Sequence, residues 1–259
     1  MEVPYSAYRF HRTTMSYNAP PFKQAHVEDC QKKVRVLFNG KFVVDTTKSK
    51  LVWEHPWYPT YFFSTSDLPS SLLRRTDSAE PEEGVKVYDL VVNHKEAKGA
   101  VTEFTGKGKH KELAGLLKID FASCDSWFEE DERIYGHPKD PYKRIDVLRA
   151  SRHVRIEVNG VELANTHRPY FLHETGLRRR TYIPLTDVRV DLLSASDMTS
   201  LCPYKGWANY YNVHLPSGEV IKDIVWYYRT PKAECIQVTG LVAFYDEKVD
   251  VWVDGEKQA

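Results

Sequence analysis

The sequence predicts a mainly β protein built as two tandem, homologous, small antiparallel domains of barrel-like or sandwich-like form. Three observations carry that prediction. The first is an internal repeat: "VRVLFNGKFVVDTT" from Val34 returns as "VRIEVNGVELANTH" from Val154. The offset of 120 holds through Asn39-Gly40 on Asn159-Gly160, Glu54 on Glu174, Asp67 on Asp187, Leu72-Leu73 on Leu192-Leu193 and Asp77 on Asp197. A second copy of this length makes a second domain rather than a solenoid. The second observation is period-2 alternation, as in Val154, Ile156 and Val158 against Arg155 and Glu157, the pattern of a half-buried strand. The third is the absence of any long amphipathic helical pattern.

Each copy opens with a hairpin at Asn-Gly, because a type I′ turn needs positive φ at both central residues. In the second copy "YYNVHLPSGEVIKDIVWYY" predicts another hairpin, turning at Pro216-Ser217-Gly218. A third strand pair is expected in "LVAFYDEKVDVWVDGE", and "CDSWFEEDE" in the first copy matches it with Asp125 on Asp250 and Trp127 on Trp252. Short helical turns are expected near "SDLPSSLL" and "TDVRVDLL", with Ser66 or Asp187 as caps. "AKGAV" from Ala97 is matched to "YKGWA" from Tyr204, which sets Lys98 opposite Lys205. The predicted organisation is an N-terminal extension over 1–33, a first and more degenerate domain over 34–133, a linker over 134–151 and a second domain over 152–259. The linker contains His-Pro and Asp-Pro pairs, which favour an extended connector. An acidic insert, "TDSAEPEEGVKVYD", and a Gly/Lys loop, "TGKGKHKEL", are read as exposed.

Composition narrows the function classes. With 36 basic and 36 acidic residues the formal net charge is +0, which gives no whole-chain attraction to nucleic acid or to a membrane surface. The opening "MEVPYSAYRFHRTTMSY" has no apolar h-region, and no apolar run approaches the ~20 residues of a membrane span. The four cysteines, Cys30, Cys124, Cys202 and Cys235, stand far apart, so reduced thiols and a cytoplasmic setting are expected. The ten histidines form no His-x-His or His-Glu-x-x-His motif, and no metal is expected. No Walker motif and no Gly-x-Gly-x-x-Gly occurs, so no nucleotide cofactor is expected either.

The stretches "RHVRIEVNGVELANTHRPYFLHETGLRRRTYIPLTDVRVDLL", "CPYKGWANYY" and "LVAFYDEKVDVWVDGE" resemble the DUF427 family. The joining stretch "HPKDPYKRIDVLRASRHVR" is similar to that of members with two such domains in tandem. The likeness covers Val34 to Glu256, closely in the second copy and loosely in the first. It implies a small, β-rich, soluble domain and no particular reaction. A nucleotidyltransferase-like label for the family is not supported here, because no Gly-Ser pair precedes an Asp-x-Asp motif. The first copy has "HKEAKG" where the second has "CPYKG", so a site built from that thiol and phenol exists once.

The candidate catalytic residues are Lys205, Glu174 and Cys202. A thiol reacts when a nearby cation favours its thiolate, and Lys205 lies three residues beyond Cys202; a strand-ending structural cysteine is the plain alternative. A desolvated lysine titrates closer to neutrality and serves as a general base. Glu174 ends the strand "YFLHE" and is either an acid–base group or a partner for the arginines of "RRRTY". For substrate binding the candidates are Arg180 and Arg189, which suit an anionic group, and Tyr204, Tyr211 and Trp226 as aromatic walls. The expected function is binding of a small molecule with cofactor-independent acid–base chemistry of the lyase, isomerase or cyclase type on an aromatic or carbonyl compound. A non-catalytic binding module and a protein-interaction scaffold are the alternatives, and the oligomeric state stays open. Lys205 is expected at the mouth of an aromatic pocket. Lys205→Met would then remove function while leaving stability within about 1 kcal/mol.

Overall fold

The computed structural model describes residues 25–76 and 81–258. Asp77, and with it part of the acidic insert, lies outside the described residues.

Both copies fold into a pair of antiparallel sheets, one of seven strands and one of four, and neither closes into a barrel. In the second copy the large sheet runs, edge to edge, through Ile145–Arg149, Tyr170–Glu174, Arg180–Pro184, Leu241–Phe244, Val220–Tyr228, Gly206–His214 and Leu193–Cys202. Its small sheet runs Val161–Thr166, Val154–Val158, Asp250–Val253 and Glu256–Lys257. The first copy repeats this order, with His26–Asp29, Lys50–Trp53, Thr60–Ser64, Leu116–Ile119, Lys95–Phe104, Val85–Val92 and Leu73–Arg75 in the large sheet. The strands His26–Asp29 and Ile145–Arg149 extend each unit into the stretches read from sequence as the N-terminal extension and the linker.

The two sheets of a copy face each other across one core, which places the fold among sandwiches. In the second copy Val154, Ile156 and Val158 meet Phe171, Ile183, Val225 and Phe244. Their alternating neighbours Arg155 and Glu157 point outward, as period 2 requires. The Asn-Gly turns have the predicted conformation: φ is 48° and 73° at Asn39 and Gly40, and 49° and 76° at Asn159 and Gly160. The second predicted hairpin forms too, with Gly206–His214 paired to Val220–Tyr228.

Four sequence alignments or roles shift. Leu241–Phe244 and Asp250–Val253 are not a hairpin; they lie in different sheets and carry the chain from one to the other. Trp127 pairs with Val36, whereas Val251 pairs with Ile156, so Trp127 corresponds to Val251 and not to Trp252. One residue of slip reverses the face: Trp127 is buried, while Phe128 and Trp252 turn outward beneath Arg35 and Arg155. The first 3₁₀ turn is capped by Ser64 and Asp67 rather than Ser66, and Asp187 binds Thr166 and Arg168 instead of capping.

The fourth shift concerns Lys98. It lies in Lys95–Phe104, whose counterpart is Val220–Tyr228, so it is not the equivalent of Lys205. Strand Gly206–His214 corresponds to Val85–Val92, and the bulge aligns Asp89 with Asn212, which sets Glu82-Glu83 opposite Lys205-Gly206. A shared irregularity fixes this register. The Asp89 carboxylate accepts from Gly99 N at 2.7 Å, and the Asn212 side-chain Oδ1 accepts from Asp223 N at 3.0 Å, at the same bulge of the two sheets.

Candidate functional site

The outer face of the second copy's large sheet carries an aromatic row. Tyr170, Tyr182, Ala243, Trp226 and Tyr210 are successive cross-strand partners on five neighbouring strands. Cross-strand aromatic pairs of this kind stabilise sheets. The indole of Trp226 reaches past the small Ala243 and donates to the Tyr182 hydroxyl at 3.2 Å. Tyr210 OH lies 2.6 Å from Ser200 Oγ and 3.4 Å from Tyr245 OH. The 3₁₀ segment Ala233–Val238 packs its Cys235 and Val238 into the same cluster. In the first copy the Ala243 position is Lys118, because Lys118 pairs with Phe62 as Ala243 pairs with Tyr182.

Glu174 continues the outward-facing series Tyr170, Leu172, Glu174, since Phe171 goes to the inner core. Its residue is only 8% exposed. On the far side of the sheet Cys202 pairs with Gly206, and Pro203, Tyr204 and Lys205 form the turn between them. Gly206 closes that turn at φ +101°, where a Cβ would stand 3.3 Å from the Thr230 carbonyl oxygen. Lys205 leaves this turn inward and donates to Glu174 Oε2. Four strand spacings of ~4.8 Å separate those strands in a flat sheet, so the contact requires the sheet to curl around its outer face. Lys205 Nζ also lies 3.8 Å from Cys202 Sγ. A second lysine, Lys143 from the segment between the copies, places its Nζ 3.7 Å from Glu174 Oε1.

Charge in this cluster is set by burial and by its partners. Burial opposes the ammonium of Lys205, but the Cys202 sulfur and the Glu174 carboxylate outweigh it and hold the lysine above its ordinary value. Lys205 is therefore kept charged, the reverse of the neutral amine a general base requires. Burial pushes the Tyr182 phenol up to about 12, with Lys205 pulling in the other direction. The Cys235 thiol is pushed up to about 11 by burial, again opposed by Lys205. Burial likewise raises Tyr204, whose hydroxyl accepts from Asp140 N at 2.7 Å.

A cleft of about 640 Å³ lies between the copies. Leu51 and Tyr61 of the first copy line it on one side, and Lys143, Ile145 and Tyr204 on the other. Asp140 ties the walls together, because its Oδ2 accepts from Trp53 Nε1 at 3.3 Å. Tyr142 does the same through its hydroxyl, which donates to Glu28 at 2.8 Å. Lys205 is absent from the cleft wall; its neighbour Tyr204 stands there instead. The sequence expectation of Lys205 at a pocket mouth is thus corrected, because the turn at Gly206 points the amine inward onto Glu174.

Of the predicted site residues, the fold brings together Glu174, Lys205 and Cys202, with Tyr204 between them and the cleft. Trp226 belongs to the same buried cluster, and Arg180 lies over its ring at 5.6 Å. Arg180 is already engaged, however, by a bidentate pair with Glu247 at 2.8 and 3.0 Å and by Asp246 at 3.4 Å. Tyr211 does not join Trp226. It stacks on Tyr227 at 4.6 Å on the opposite face, as alternation along both strands dictates. Arg189 is remote from the cluster: it pairs with exposed Asp191 at 2.6 Å, and its backbone binds Leu163. Sequence reasoning missed Lys143, Tyr182 and Cys235. Lys143 stood in a proline-rich stretch with no periodicity to give it a face. Tyr182 was findable, since it is opposite Tyr170 once the strands are paired.

All four cysteines are free. Among the described residues no cluster of three or more His, Cys, Asp or Glu side chains is arranged to hold a metal ion. No helix among them is long and apolar enough to cross a membrane. The first copy keeps the carboxylate but not the cluster: Glu54 binds Lys118 at 2.6 Å in a half-exposed setting. Residues 26–130 and 146–255 each match the family described as a domain of unknown function, DUF427. No curated protein matches the chain.

Proposed function

This chain belongs to the DUF427 family, carrying two copies of its domain in tandem, and from that premise we propose that it binds a small molecule in the cleft between the copies and acts on it by cofactor-independent acid–base chemistry. The substrate class is a small aromatic or carbonyl-bearing compound. One observation carries the reading: Lys143 lines the cleft and its ammonium lies 3.7 Å from Glu174, so the buried cluster reaches the cleft wall. The volume of about 640 Å³ is in the range of small-molecule sites. In this scheme the Glu174 carboxylate takes the proton. Lys143, the cation on the cleft wall beside Glu174, stabilises negative charge that develops on a substrate oxygen. Lys205 behind it holds the Glu174 carboxylate in place and is the kind of neighbour that a reactive Cys202 sulfur requires. Four separate thiols support a reducing, cytoplasmic setting.

A screen for chemistry of this type does not depend on the identity of the substrate. The protein is incubated in D₂O with a library of small aromatic and carbonyl compounds, and deuterium incorporation or conversion is followed by mass spectrometry. Activity that disappears in Glu174→Gln, with the fold retained, is the expected result. One observation favours a second reading as a non-catalytic binding module: the Lys205 amine is engaged by the buried Glu174 carboxylate and does not line the cleft, which removes the base that the sequence suggested. Compounds that bind wild-type protein with no exchange and no conversion would establish that module and refute the enzyme.

A further inference from the structure

Resting on that assignment of the cleft, we propose that its ligand is a small monocarboxylate with an apolar or aromatic body, and that Lys143 binds the carboxylate. Lys143 stands apart from the other cations of the wall because its hydrogen bonding is incomplete. Its side chain is 12% exposed, yet among the described residues its ammonium makes no hydrogen bond. The nearest carboxylate oxygen, Glu174 Oε1 at 3.7 Å, is outside hydrogen-bond reach, and the other oxygen of that carboxylate is taken by Lys205. An ammonium brings three donors, and the Lys143 nitrogen, which is not itself a buried atom without a partner, keeps those donors open to the cleft. An acceptor arriving through the cleft meets them.

The other cations on the wall are already paired, Lys32 with Glu129 and Lys139 with Glu234. Lys143 is therefore the cation left for a ligand. Its surroundings also limit how much negative charge the ligand carries. Glu28, Asp29, Asp140 and Glu234 line the same cleft, and like charges at close range oppose a polyanion. A nucleoside triphosphate fits poorly for that reason, and a single carboxylate fits well. The remaining wall sets the body of the ligand. Leu51, Tyr61, Ile145 and the ring of Tyr204 offer apolar surface, and Lys143 already lies over the Tyr204 ring at 5.6 Å. A ligand whose carboxylate meets Lys143 lies its hydrocarbon part along that ring.

The test is isothermal titration of the full chain with matched acid and amide pairs: benzoate and benzamide, 3-phenylpropionate and 3-phenylpropanamide, hexanoate and hexanamide. Magnesium ATP is the polyanionic control. The acids are expected to bind at least about ten-fold more tightly than their amides, the least that a charge-assisted hydrogen bond supplies. Lys143→Met should erase that preference, and Lys143→Arg should keep most of it. The acid–amide contrast on wild-type protein decides the question even where a variant fails to fold. Amides that bind as tightly as acids, or an acid preference that survives in folded Lys143→Met, would overturn the proposal while leaving the cleft as a binding site. ATP binding more tightly than any monocarboxylate would overturn it as well. If neither acids nor amides bind, both this proposal and the assignment of the cleft fall together.

Discussion

Replacing Lys205 by methionine tests the central structural claim, because the sequence and the structure predict different results. From sequence, Lys205 sits at a pocket mouth and its removal changes stability by no more than about 1 kcal/mol. In the structure Lys205 and Glu174 are 11% and 5% exposed at their side chains and joined directly. Methionine keeps the length and apolar character but removes the charge, which strands the Glu174 carboxylate. Breaking a buried pair from one side costs about 3–5 kcal/mol. Lys143 at 3.7 Å offsets part of this, so the expected loss is about 2–4 kcal/mol. With a urea slope of about 2 kcal/mol/M, the unfolding midpoint falls by ~1–2 M. Exposed Lys98→Met is the control and should move stability by less than about 0.5 kcal/mol. The double variant Lys205→Met/Glu174→Met removes both charges and should be less destabilised than Lys205→Met alone. The pH dependence has a definite sign. A lysine whose folded-state pKa is raised contributes its full stabilisation below the ordinary value of 10.5 and loses it as pH rises through the folded value. The gap between wild type and Lys205→Met should therefore be flat across neutral pH and shrink only in strong alkali. A Lys205→Met protein within 1 kcal/mol of wild type, or a double variant worse than the single, would refute the buried-pair reasoning.

Other expectations follow from single interactions. Asp187 accepts from Arg168 and from the Thr166 hydroxyl, and these hold its carboxyl well below the usual range. Its contribution is present above the ordinary aspartate value of 3.8 and is lost as pH falls, so Asp187→Asn should cost about 1–2 kcal/mol at pH 7 and nothing in strong acid; an equal deficit at both pH values contradicts this. Gly206→Ala should cost about 1–2 kcal/mol in urea denaturation, because an L-residue is strained at φ +101°, and an unchanged midpoint would show that the turn adjusts freely. For the thiols, mass spectrometry after alkylation without reductant should find all four labelled once the chain is unfolded. In native protein Cys124 and Cys235, pushed up to about 12 and about 11 by burial, should lag. A disulfide, or Cys235 labelling as fast as free cysteine, would count against the arrangement.

Local rules were enough for the strands and for their duplication. The Asn-Gly turns, the alternation of Val154, Ile156 and Val158, and the Pro216-Ser217-Gly218 hairpin depend on residues close in the chain, so the sequence alone determined them. It also determined that Cys202 and Lys205 lie near one another, since three residues separate them, and it put Glu174 at a strand end. Tertiary structure decided the rest. Which face Tyr211 and Trp226 occupy depends on absolute strand register, and a slip of one residue exchanges core for solvent, as Trp127 and Trp252 demonstrate. Whether Lys205 points outward or onto Glu174 depends on the curl of a seven-stranded sheet, which no single strand encodes. Lys143 joined the cluster because the connector folds back between the copies, and a stretch without hydrophobic periodicity gives no notice of where it packs. Strand pattern is a property of neighbours two residues apart. The charged group of Lys143, Glu174, Cys202 and Lys205 alone spans 62 positions, and only packing brings those together.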